Sequence, residues 1–168
     1  MSDMTLHLTI DELMAWTAEE RRKWQPWLAA NPDALAAAVQ PGGRFATVAA
    51  LIDHIFLVEV RHTLRLRRLD LPSSTGVSPG DIDRLFDYAA RSRAAVHEYL
   101  RSLTADDAAT PRDVVVLSGG TFRMTPRKLI FHMALHEVRH WAQIALAVRM
   151  AGFTPPGDHD LFYSQAME

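Results

Sequence analysis

Apolar residues fall at helical spacing over four long stretches of this chain. The first opens on Thr9-Ile10-Asp11-Glu12, a T-x-x-E capping box, and carries Leu13, Trp16, Trp24 and Trp27. That pattern predicts a helix of about 15–20 residues, with Pro26 placed to kink it. Thr47 is a suitable N-cap for a second helix reaching about Leu69. Its apolar stripe is Leu51, Ile55, Val58, His62 and Leu69, flanked by Val48 and Leu66. Asp81 caps a third, with the near-heptad seam Ile82, Leu85, Ala89, Val96, Tyr99 or Leu100, and Leu103. Thr125 and Pro126 supply the N-cap and first residue of the fourth, and Gly152 its terminating glycine.

The intervening segments are punctuated differently. Asn31-Pro32 and Pro41-Gly42-Gly43 frame a connector whose alanine-rich middle suits a short helix, and Leu71-Pro72 to Pro79-Gly80 is a loop long enough for a crossover. Val114 to Leu117 and Thr121 to Met124 are β-prone runs around Ser118-Gly119-Gly120, which predicts a small hairpin or extended insertion before the last helix. After Gly152, the tail with Pro155-Pro156-Gly157 is expected to pack back on the helices. Four long helices and little strand predict an all-α four-helix bundle, residues 1–168 forming a single domain. The crossover loop and the insertion leave the helix connectivity open.

Composition narrows the chemistry. The chain has 168 residues, 48% hydrophobic and 23% charged, an ordinary globular balance. A net charge of -2 and the lack of a basic stripe give no reason to expect nucleic acid or an anionic membrane as partner. No run of about 18 apolar residues is present, and the acidic N-terminus has no apolar signal region, so a cytoplasmic location is expected. Cysteine is absent, which removes disulfides, thiolate metal sites and cysteine nucleophiles, and leaves nitrogen and oxygen as metal ligands.

Histidine is where the candidate chemistry lies. His132, His136 and His140 stand four residues apart on the ridge that continues into Ile144 and Val148, so all three share one helix face. Burying several imidazoles is costly unless each finds a partner, and a shared metal ion is one such partner. Neutral imidazole suits Zn, Ni, Cu or Fe(II), so the ligands do not choose the ion. A further ligand must come from elsewhere: His54, His62, His97 or Glu59. His62 lies near the centre of the second helix's stripe and His54 about 60° off it, which favours His62. The string H-E-V-R-H also fits the zinc-protease pattern, with Glu137 as general base. The helical surroundings offer no sheet for a peptide substrate to pair with, and Glu137 has a plainer role as a surface carboxylate pairing with Arg139 or Arg123.

The stretch Phe45 to Leu69, containing A-L-I-D-H-I-F-L-V-E, the stretch H-E-V-R-H-W-A-Q-I within Thr125 to Gly152, and the tail D-H-D-L-F-Y resemble the DinB/YfiT-like metalloenzyme family. The resemblance implies an up-down-down-up four-helix bundle, usually a homodimer. It also implies a divalent metal ion held by one histidine of the second helix and an i, i+4 pair of the fourth: His54, His136 and His140. This displaces His62 as the third ligand and leaves His132 beside the triad. Some relatives are thiol-dependent, among them bacillithiol S-transferases and a mycothiol-dependent maleylpyruvate isomerase, so a low-molecular-weight thiol is a candidate cofactor. The expected function is a metal-dependent enzyme acting on a small-molecule substrate, as a thiol-dependent transferase or a hydrolase. His132, Glu59 and Glu137 are its acid/base candidates. The alternative is a non-catalytic dimeric bundle that binds a metal or small ligand.

Overall fold

Side-chain hydroxyls and carboxylates start every long helix in the computed structural model of the chain, which describes residues 7–39, 43–116 and 119–167. The capping box at Thr9 is complete: its hydroxyl accepts from the Glu12 amide at 3.2 Å, and the Glu12 carboxylate accepts from the Thr9 amide at 2.7 Å. Helix α1 then spans Ile10–Ala30 and continues through Pro26. The alanine-rich connector is a 3-10 turn over Pro32–Ala36, followed by an antiparallel bridge between Ala38 and Thr47. Pro41 and Gly42 lie outside the described residues. Thr47, Asp81 and Thr125 cap α2 (Val48–Arg67), α3 (Ile82–Ser102) and a last long helix (Pro126–Met150) that is α5 in chain order. The intervening α4 (Ala105–Ala109) is a single short turn begun by Thr104.

The insertion before α5 is a two-stranded antiparallel hairpin, β1 (Arg112–Val115) with β2 (Thr121–Met124), in the register Val114 opposite Phe122. Its first strand begins two residues earlier than the β-prone run suggested; Leu117 and Ser118 lie outside the described residues. Gly152 takes φ of +89°, the left-handed conformation that lets the Phe153 amide reach back to the Val148 carbonyl. Beyond it, the tail folds back as expected. His159 stacks on Trp24 with ring centroids 5.0 Å apart and pairs with Glu20 at 2.6 Å.

Helix α2 packs against α3 and α5, and α1 packs against the same two, so α1 and α2 occupy one diagonal of the bundle. Two apolar clusters fill the interior. One contains Trp24, Phe56, Ala89 and Trp141; the other contains Met14, Leu66, Val96 and Met133. Helices α1 and α5 pass from the Met14 cluster to the Trp24 cluster, and α2 and α3 pass the opposite way. An up-down-down-up arrangement would produce this order. Among the described residues no helix is long and apolar enough to cross a membrane.

Between the clusters sits a buried ionic group with one member from each long helix: Arg21, Glu59, Arg93 and Glu137. Arg21 reaches Glu59 at 2.8 Å and Glu137 at 2.7 Å, while Arg93 reaches the same two carboxylates at 2.7 Å and 2.9 Å. Burial by itself would raise the Glu59 carboxyl, but the charges and hydrogen bonds of Arg21 and Arg93 outweigh it and hold the group at about 2.

Candidate metal centre

Helices α2 and α5 lie side by side, and this contact brings three imidazoles from two distant segments together. His136 Nε2 stands 3.1 Å from His54 Nε2 and 3.0 Å from His140 Nε2. One nitrogen of each ring lies within 4.8 Å of the others. Three nitrogens bound to one ion at about 2.0–2.1 Å stand roughly 3.0–3.4 Å apart, so these contacts suit a shared cation. At these distances a ring N–H of one imidazole can face the lone pair of the next, and a bound cation would take the place of that proton. The donor set, three neutral nitrogens without a carboxylate, suits a borderline divalent metal.

The rings are held in place by their neighbours. His140 Nδ1 donates to the Gln143 side-chain oxygen one turn on, which leaves its Nε2 as the acceptor facing the triad. Phe45 stacks on His54 with centroids 4.2 Å apart. His136 is 8% exposed, and its Nδ1 is buried without a partner among the described residues. Burial, reinforced by the neighbouring histidines, pushes His136 down to about 2. Burial and the charges of His140 and Arg44 bring His54 to about 4. Burial lowers His140 as well, against the opposing effect of Gln143. All three are therefore neutral near pH 7, each ring keeping one nitrogen lone pair that can ligate.

The other candidates fall into two groups. His132 is exposed on the rim, with ring centroids 5.4 Å from His136 and 5.2 Å from His62. His62, favoured by its place in the stripe, sits beside the triad rather than in it; its Nδ1 lies 3.0 Å from Arg65 Nη1. His97 is no part of the cluster. Glu59 and Glu137 belong to the ionic group inside the bundle, and neither lines the cleft that opens onto the triad. Glu137 is 1% exposed and also accepts from the Trp141 indole at 3.0 Å. The expectation of a surface carboxylate paired with Arg139 or Arg123 is therefore corrected. Position 137 is turned about 100° from His136, and that turn points into the core.

The cleft has a volume of about 480 Å³, within the range of small-molecule sites. Besides the triad, its walls carry Arg44, Arg61, Arg65 and Arg139, together with His62 and His132. The run Arg61, Arg65, Arg67 and Arg68 suits a helix C-terminus with a solvated basic face, yet Arg61 and Arg65 line the cleft; Arg139, expected to pair with Glu137, lines it too. Gln143 had a local signal, since it stands one turn after His140 on the same face.

A sequence profile described as the DinB family matches residues 1–167. Among solved structures, the chain is similar to a DinB-like protein (YjoA) from Bacillus subtilis. The TM-score is 0.53 at 14% identity, and the alignment covers 89% of this chain and 98% of that one. At that identity the likeness concerns the fold. No match is found among curated proteins.

Proposed function

The chain belongs to the DinB family, and we propose that it is a metal-dependent enzyme acting on a small molecule, with a divalent ion held by His54, His136 and His140. The observation that carries this reading is the convergence of three Nε2 atoms beside an open cleft. Three protein ligands leave positions free, as in catalytic rather than structural sites. A bound ion would lower the pKa of a water or thiol placed on it.

The chain's own residues supply orientation and proton handling. Gln143 fixes the tautomer of His140, Phe45 holds the plane of His54, and His132 stands at the rim where it can carry a proton to or from solvent. Glu59 and Glu137, the other acid/base candidates, serve the bundle interior in this reading. Lacking cysteine, the chain would draw sulfur from a low-molecular-weight thiol if the reaction is a thiol transfer; a metal-activated water would make it a hydrolase. A cytoplasmic location, where such a thiol stays reduced, belongs to the same proposal. A non-catalytic bundle binding metal or a small ligand is the second reading, favoured by the lack of any carboxylate on the cleft wall among the described residues.

Metal analysis of untagged protein tests the assignment. About one ion per chain is expected in the wild type and a small residue of that in His54→Ala. Full occupancy in His54→Ala would remove His54 from the ligand set. Turnover of thiol and electrophile by the loaded protein separates the enzyme from the non-catalytic reading.

We also propose that the protein is a homodimer. The exposed side of α5 presents Leu135, Leu146 and Met150 at 50%, 58% and 80% exposure, on a stripe shared with Ala142. Leu146→Arg is expected to move the sedimentation coefficient from the dimer's to the monomer's value. A wild-type protein that sediments as a monomer at micromolar concentration would end this reading.

A further inference from the structure

The distribution of charge around the cleft does not follow from the composition. The chain carries a net charge of -2, yet among the described residues the cleft walls hold four arginines and no aspartate or glutamate. Arg61 is the most telling of them. It is 8% exposed, and its guanidinium donates from Nε to the Pro72 carbonyl at 2.9 Å and from Nη2 to the Ser73 carbonyl at 2.7 Å. Among the described residues no carboxylate lies within ion-pair distance of it. Arg93, also 8% exposed, and Arg21 in the bundle interior each contact two carboxylates. A guanidinium anchored by carbonyls and paired with no carboxylate keeps its charge available, so one held in place on a cleft wall is suited to an anion arriving from outside.

The neighbouring groups repeat the pattern. Arg65 donates to the Val115 carbonyl at 3.1 Å and to His62 Nδ1 at 3.0 Å, again without a carboxylate among the described residues. Because arginine can only donate, His62 Nδ1 must accept, which leaves neutral His62 with its proton on Nε2 as a further donor. Arg44, resting over the Phe45 ring at 5.3 Å, and Arg139 on α5 bring the guanidinium groups to four. Burial lowers Arg61 and Arg65 from the ordinary arginine value, and the charge of Arg61 adds to the effect at Arg65. Arg21, with two carboxylates beside it, is raised instead. Tyr88 and Asp53 offset part of the effect at Arg61 from beyond ion-pair distance, and among the described residues no carboxylate pairs directly with either arginine.

We propose that the cleft recognises a small molecule through an oxyanion, a carboxylate or phosphate group seated on Arg61 and Arg65 and closed over by Arg44 and Arg139. This names the substrate class for the metal site proposed above and rests on that reading for its catalytic meaning. The anion is held beside the triad, so the uncharged part of the ligand is the part offered to the histidines.

Isothermal titration of the full chain with succinate, inorganic phosphate and succinamide tests it, on metal-loaded and on chelator-stripped protein at low ionic strength. Succinate or phosphate is expected to bind, and neutral succinamide to bind at least about a hundredfold more weakly. The preferred oxyanion identifies the group. Arg44→Ala and Arg139→Ala, both exposed positions that can change without disturbing the core, are each expected to weaken the anion about tenfold. Arg84→Ala, remote from the cleft, controls for overall charge and leaves binding unchanged. Equal affinity for succinamide, no binding of either anion, or an Arg44→Ala/Arg139→Ala double variant with wild-type affinity would overturn the proposal. The stripped protein separates the two readings. Anion preference persisting in a chain that takes up no metal upholds the cleft and removes the metal site. Full metal occupancy with no anion preference does the reverse.

Discussion

Replacing Glu137 by alanine is expected to cost about 3–5 kcal/mol of folding stability, the usual effect of breaking a buried ion pair from one side. One carboxylate oxygen of Glu137 accepts from Arg21 Nε at 2.7 Å and from the Trp141 indole at 3.0 Å. The other accepts from Arg21 Nη2 at 2.7 Å and from Arg93 Nη2 at 2.9 Å. Its removal leaves two buried guanidinium groups sharing Glu59 alone. Against a total of about 5–15 kcal/mol for a domain, that is a large fraction. For a chain of this length it corresponds to a fall in Tm of roughly 6–20 °C. Urea denaturation measures it, and a loss below about 1 kcal/mol would show that the group is not energetically coupled. Exchanging all four members for Leu and Met should recover most of the loss, because it leaves no stranded charge. The same group gives the protein an acid limit. Glu59 is held at about 2 against an ordinary value of 4.5, so its contribution is present above 4.5 and is lost as the pH falls toward 2.

In His136→Ala, metal affinity is expected to fall by more than about 100-fold, beyond what the loss of an outer-shell partner costs. His136 is the middle member of the triad, the one whose Nε2 approaches both of the others, at 3.0 Å and 3.1 Å. Without it, His54 and His140 no longer surround an ion. Free metal at about 1,000 times Kd would stabilise the wild type by about 4.1 kcal/mol. That is a rise in Tm of roughly 8–16 °C on adding metal, and it should vanish in the variant. Calorimetry with and without the ion reads this directly. His132→Ala should keep the rise, since its ring lies outside the ligand set, and Gln143→Ala should keep part of it, since Gln143 only orients His140. If His136→Ala keeps the full metal-induced rise, the ion is held elsewhere.

Stability and chemistry are divided between the two faces of one helix turn. His136 looks toward α2 and the cleft, while Glu137, the next residue, looks into the bundle. Read along the chain, H-E-V-R-H places a base beside two ligands. In space the glutamate is already committed to Arg21, Arg93 and Trp141, so the resemblance to a protease helix ends at the spacing. The arginines show the converse: they are scattered over three segments at positions 44, 61, 65 and 139, and they become a set only around the cleft.

The sequence by itself determined the helices and their starts. Thr9, Thr47, Asp81 and Thr125 cap their own amides within three residues, and the apolar stripes repeat within a turn, so both signals are local. It also placed the hairpin to within two residues and brought His136 and His140 onto one ridge, because i, i+4 spacing is a property of one helix. Which third histidine joins them was not local. The stripe of α2 favours His62, since burial follows the centre of the stripe. A ligand, however, must face the gap between helices, and His54 at the stripe's edge does so once α2 lies against α5. The pairing of Glu59 and Glu137 with Arg21 and Arg93, and the unbalanced charge of the cleft, likewise depend on partners 34 to 116 residues away along the chain. Only the packing of the four helices decided them, because electrostatic partners are chosen by distance in space.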